Sequence, residues 1–160
     1  MVDPTTEIRG KLWAWKALRE LGESPPLDIR NEVHGVVFEI PINDWVDILA
    51  AYSDGRVRYL NGKVGVNGLM IWDATENPHI KPLVMRAINS AKTVVGKVPV
   101  FEKHQATSPS VEPRISVLTY GGIYIINRDR TNSRVTDPIL SEGTQLFVGL
   151  MQEVEKNKQR

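Results

Sequence analysis

The chain contains no cysteine, which excludes disulfide staples, thiolate zinc sites, iron–sulfur clusters and a cysteine nucleophile together. A disulfide-free chain suits a reducing compartment, so a cytoplasmic protein is expected. Neither sign of charge dominates: 20 Lys and Arg stand against 19 Asp and Glu, for a formal net charge of +1. No global field recommends nucleic acid or an anionic membrane, and either role would need a local patch. No stretch approaches the roughly 18 apolar residues of a membrane span, and the first seven residues hold acidic and polar groups where a signal peptide would have an apolar core. Histidine is scarce. His34, His79 and His104 are the 3 in the chain, and none stands in a spacing that would set two ligands on one face. No metal and no cofactor is expected.

What is present is enough for one domain. With 160 residues, 41% of them hydrophobic and 24% charged, the chain has the composition of a folded globular protein. The expected organisation is an N-terminal helix over residues 1–22, a linker over 23–32 that contains Pro25 and Pro26, and an α+β core over 33–158. The helix is framed by Asp3 as cap, Pro4 at its first position and Gly22 as stop. Ile8, Leu12, Trp15 and Leu18 follow helical spacing, while Trp13 sits about 200° from Trp15. This helix therefore has large apolar groups on more than one side.

From Val33 the pattern turns to strands. Gly35–Ile40, closed by Pro41, is the first, and Trp45–Tyr52 is the second, followed by Asp54-Gly55. Asp-Gly favours a two-residue hairpin turn. That turn opposes Tyr52 to Val57, Ala50 to Tyr59 and Ile48 to Asn61, which puts Ala50, Tyr52, Val57 and Tyr59 on one face with Arg56 and Arg58 on the other. Lys63–Trp72 reads as a further strand, and Asn77-Pro78 opens a helix to about Val95 whose stripe is Ile80, Leu83, Val84, Ala87, Ile88 and Ala91. Val98–Phe101 suggests a short edge strand. Arg114–Tyr120 and Ile123–Arg128 flank Gly121-Gly122 in a hairpin, read with Leu118 facing Ile125 and Val117 facing Ile126 and expected to be central. Asp137-Pro138 starts a last helix to about Lys156, with Ile139, Gly143, Leu146, Phe147, Leu150 and Val154 inward. The expected fold is α+β: an antiparallel sheet of five or six strands with three helices, ordered α-βββ(β)-α-ββ-α, the third helix lying on the opposite face.

His34-Gly35-Val36-Val37-Phe38-Glu39-Ile40, then Ala51-Tyr52-Ser53-Asp54-Gly55, then Arg114-Ile115-Ser116-Val117-Leu118-Thr119 resemble a group of uncharacterised bacterial α+β proteins of about this size. The layout is also similar to profilin-like, longin and roadblock scaffolds, which mostly bind other proteins. Roadblock chains usually place two strands before the middle helix and three after it, the reverse of the order here.

Gly62, Gly65 and Gly68 have the wrong spacing for a phosphate loop and precede a strand, which favours a bulged or twisted strand. Asp44 and Asp47 flank Trp45, and Asp73 with Glu76 precedes the middle helix; paired acids serve acid–base chemistry when one is buried. Ser53, Ser116 and Ser141 lack a nucleophile elbow. Arg128, Arg130 and Arg134 form the most basic loop, with no aromatic platform among them. The expectation is a non-enzymatic protein-interaction or regulatory module whose interaction surface is Leu12, Trp13, Trp15 and Leu18, possible as a homodimer through the N-terminal helix. The rival is an enzyme acting on a small polar substrate in a histidine/carboxylate cleft, and the lesser alternative is nucleic-acid binding through the arginine loop.

Overall fold

Runs rich in Val, Ile, Leu and aromatic residues form six strands in the computed structural model, which describes residues 31–64, 69–98, 112–119, 121–127 and 133–159. These are β1 (Val33–Ile42), β2 (Trp45–Tyr52), β3 (Arg56–Leu60), β4 (Leu69–Asp73), β5 (Arg114–Thr119) and β6 (Gly122–Asn127). Two helices join them, α1 (Ile80–Ala91) and α2 (Ser133–Lys158). The expected N-terminal helix, most of the linker and nearly all of the edge strand at Val98–Phe101 lie outside the described residues. The strands make one antiparallel sheet in the order β4-β3-β2-β1-β5-β6. No described helix is long and apolar enough to cross a membrane.

The first strand is longer than its sequence suggests, because Pro41 does not close it. β1 runs on to Ile42, with Pro41 opposite Val46 and Ile42 opposite Trp45. Pro41 lies beyond the stretch paired with β5, where β1 has a neighbour on one side only, and proline is tolerated at such edges. The β1–β2 turn is then Asn43-Asp44, with Asn43 at φ 51, a conformation that asparagine adopts readily.

The turn at Asp54-Gly55 overturns the expected register. Ala51 opposes Val57, Ala50 opposes Arg58, Leu49 opposes Tyr59 and Ile48 opposes Leu60. Ser53, Asp54 and Gly55 all belong to the loop: the Gly55 N–H donates to the Tyr52 carbonyl at 2.9 Å, and Gly55 sits at φ 89. A three-residue turn that ends in a left-handed glycine shifts the pairing by one and so exchanges the faces of one strand relative to the other. Val57 and Tyr59 consequently share a face with Leu49 and Ala51, while Ala50 and Tyr52 share theirs with Arg56 and Arg58.

The second hairpin pairs Leu118 with Ile123, Val117 with Tyr124 and Ile115 with Ile126. This is two residues from the expected register, so the faces are preserved. β5 is buried along its whole length, but β6 is an edge strand and not central. The last helix also begins earlier than Asp137-Pro138. Pro138 lies inside α2, where it has no N–H to give the carbonyl of Arg134. The fourth strand is confined to Leu69–Asp73, and Lys63 and Val64 precede it in a turn.

Both helices pack on one side of the sheet. Ile80, Val84, Ala87, Ile88 and Ala91 of α1 are buried, as are Ile139, Leu146 and Leu150 of α2, and all join one cluster with Phe38, Leu49, Tyr59, Val117 and Ile126. Burial of this kind is worth about 25 cal/mol per Å² of apolar surface and dominates the stability of the helix layer. Asn77 caps α1, its Oδ1 accepting the N–H groups of His79 and Ile80 at 2.9 and 3.0 Å. Arg86 ties the helices together through Glu142 at 3.3 Å and Gln145 at 2.7 Å.

Candidate binding cleft and second sheet face

Asp47 lies near the start of β2, on its helix side, where the alternation that buries Leu49 and Ala51 also turns its carboxyl inward. It is 7% exposed. Its Oδ2 accepts the phenolic O–H of Tyr59 at 2.7 Å, and its Oδ1 accepts the Gly62 N–H at 2.9 Å. Burial, reinforced by the bond to Asp47, raises the phenol of Tyr59 well above its ordinary value, so Tyr59 stays a donor across the physiological range. The Gly62 contact explains the first of the three spaced glycines. A Cβ there would stand 2.0 Å from the carbonyl oxygen of Val46, so only glycine allows the chain after β3 to approach β2 closely enough to donate.

Beside this pair the sheet and α2 leave a cleft of about 180 Å³. Phe38, Ile40, Ile42 and Leu49 form its floor, and Leu140, Gly143, Thr144 and Phe147 bring α2 over it. Gly143 sets the closest approach, since a Cβ there would meet the ring of Phe38 at 2.6 Å. The rings of Tyr59 and Phe147 meet at 5.4 Å and 60°. The cleft thus has apolar and aromatic walls with one hydrogen-bonded carboxylate. That chemistry can orient a ligand, but among the described residues the lining holds no second acid, histidine or serine to pair with Asp47 in proton transfer.

The other side of the sheet forms a second cluster. Val37, Ile48, Ala50, Tyr52, Leu60 and Leu118 are each 2% exposed or less, with half-buried Val46 and Ile123 against them. No side chain of either described helix belongs to it. Burial pushes the phenol of Tyr52 up to about 12, against a lowering contribution from Arg58 and a raising one from Asp54. Glu39 and Arg114, 3% and 4% exposed, oppose each other in the β1–β5 ladder on this same side. The covered area stops at β4, where Ile71 is 62% exposed.

The residues singled out in the sequence are scattered. Leu12, Trp13, Trp15, Leu18, His104, Arg128 and Arg130 lie outside the described residues. Arg134 is exposed in the first turn of α2. His34 is buried on β1, and its carbonyl accepts the Ser53 N–H at 3.0 Å. His79 is exposed at the start of α1, Ser53 lies in a turn, Ser116 is buried on β5 and Ser141 is exposed on α2. Asp44 is exposed in the β1–β2 turn, so only Asp47 of that pair is buried. Asp73 accepts the Thr75 N–H at 3.1 Å, and its bonds to Thr75 hold the carboxyl below the usual range. Asn77, and not Asp73 or Glu76, caps the helix. Among the described residues no group of three or more His, Asp or Glu could hold a metal ion. Sequence reasoning named Asp47 only as half of a pair with Asp44 and missed Tyr59 and Gly62 as its partners, since they come from a different strand and its following turn.

Compared with known proteins, the chain matches no family model, no curated protein and no solved structure.

Proposed function

We propose that this chain is a non-enzymatic interaction module that assembles as a homodimer, the segment Pro4–Leu21 of each copy laying Leu12, Trp13, Trp15 and Leu18 on the second sheet face of the other. One observation supports this reading: Val37, Ile48, Ala50, Tyr52, Leu60 and Leu118 are buried within a single copy of the chain on a side to which neither described helix contributes, and exchange of the covering segment between two copies would keep that burial. An antiparallel sheet commonly leaves one side to water, and a side this apolar requires a cover. Pro4–Leu21 is the part of the chain with the composition to provide it. The linker with Pro25 and Pro26 favours an extended path, and exchange of identical elements is a low-cost route to a symmetric pair.

The test is sedimentation of the full chain beside a double variant, Leu12→Glu with Trp15→Glu. A dimer for the parent and a monomer for the variant are expected. A parent that is monomeric at tens of micromolar, or a variant that dimerises equally well, removes the homodimer.

A further inference from the structure

Among the described residues, the helix side of the sheet holds a carboxylate without a cationic partner. Asp47 is buried, it lines the cleft, and its two described bonds come from neutral donors, the Tyr59 hydroxyl and the Gly62 amide. Among the described residues no lysine, arginine or histidine forms an ion pair with it. A carboxylate offers about four lone-pair sites, so acceptor capacity remains for a group entering from the cleft. Removing an ion from water is costly unless a counter-charge and hydrogen bonds accompany it.

We propose that the cleft between the sheet and α2 binds a small organic amine, its ammonium on Asp47 and its apolar body among Phe38, Leu49 and Phe147. Three features select this class. The carboxylate repels acids and rewards a cationic donor. The walls around it are apolar, so a sugar or another polyol would leave its hydroxyls unpaired. Phe38, Tyr59 and Phe147 line the cleft, and the face of an aromatic ring attracts a cation. Size narrows the class further: a cavity of roughly 150 Å³ accommodates benzene, and this one is about 180 Å³. One ring or a short alkyl chain beside the ammonium fits. The cleft lies on the opposite side of the sheet from the face assigned to dimerisation, so this inference stands or falls independently of that assignment.

The probe is 2-phenylethylamine, titrated calorimetrically into the full chain beside 2-phenylethanol and 3-phenylpropionate, which match its shape without its charge. Saturable binding of the amine is expected, with the alcohol and the acid weaker by about tenfold or more. Asp47→Asn, checked by circular dichroism, should abolish the preference for the amine over the alcohol. Thr144→Trp fills the mouth from an exposed position on α2 without touching Asp47, and it should block the amine even if Asp47→Asn fails to fold. Equal binding of amine and alcohol overturns the proposal. So does undiminished amine binding in either folded variant, or no saturation by 2-phenylethylamine, cyclohexylmethylamine or butylamine at about 10 mM.

Discussion

The hydroxyl of Tyr59 and the carboxylate of Asp47 meet at 2.7 Å within the helix side of the sheet, joining β3 to β2 by a side-chain bond. A hydrogen bond to a charged, buried acceptor is worth about 1.5–3 kcal/mol. Tyr59→Phe should therefore lower the free energy of unfolding by about 2 kcal/mol, measured by urea titration, with little change in the urea dependence. Asp47→Ala should cost more, because it strands both the Tyr59 hydroxyl and the Gly62 N–H.

Alkaline pH should weaken the fold through the same phenol. Tyr52 and Tyr59 both have folded values above the ordinary 10.0, so the folded chain holds their protons where the unfolded chain has released them. Their contribution is complete below about pH 10 and is lost as the pH rises towards the folded values, which for Tyr52 is about 12. Urea midpoints should fall as the pH rises from about 10 towards about 12. The fall should be shallower in Tyr59→Phe, and an identical slope in parent and variant would contradict the raised value.

Two glycines should resist substitution for steric reasons and a third should not. At Gly62 a methyl would overlap the backbone of Val46, and at Gly143 it would overlap the ring of Phe38. Each change to alanine should cost about 1–3 kcal/mol or more, with Gly62→Ala the worse because backbone cannot rotate aside. Gly96, at φ 79 with open space around it, should lose only about 1 kcal/mol as alanine. Thermal denaturation of the three variants gives the ranking.

On the second sheet face, position decides the cost of losing an isoleucine. Ile48 is fully buried while Ile71, also on this side, is 62% exposed. Ile48→Ala should destabilise by about 2–5 kcal/mol, whereas Ile71→Ser should stay within about 0.5 kcal/mol. Equal effects would mean that the cover extends over β4 as well.

The sequence by itself determined the elements whose signal is local. The 3.6-residue spacing of Ile80, Val84, Ala87, Ile88 and Ala91 marked the buried stripe of α1, and that of Ile139, Gly143, Leu146 and Leu150 did the same for α2. Runs of β-branched and aromatic residues separated by short turns placed the strands and the antiparallel class, because those preferences act between near neighbours. Tertiary structure alone decided the rest. Asp54-Gly55 admits both a two-residue and a three-residue turn, and the pairing of β3 with its neighbours selected the latter, which moved Tyr59 to the side of Asp47. The adjacency of β1 and β5 pairs residues far apart in the chain, Glu39 with Arg114 and Val33 with Thr119: it depends on closing the long connection through β2, β3, β4 and α1, and no periodicity encodes that. The cleft has the same origin, since Phe38, Asp47, Tyr59 and Phe147 are brought together only when the sheet is ordered and α2 lies across it.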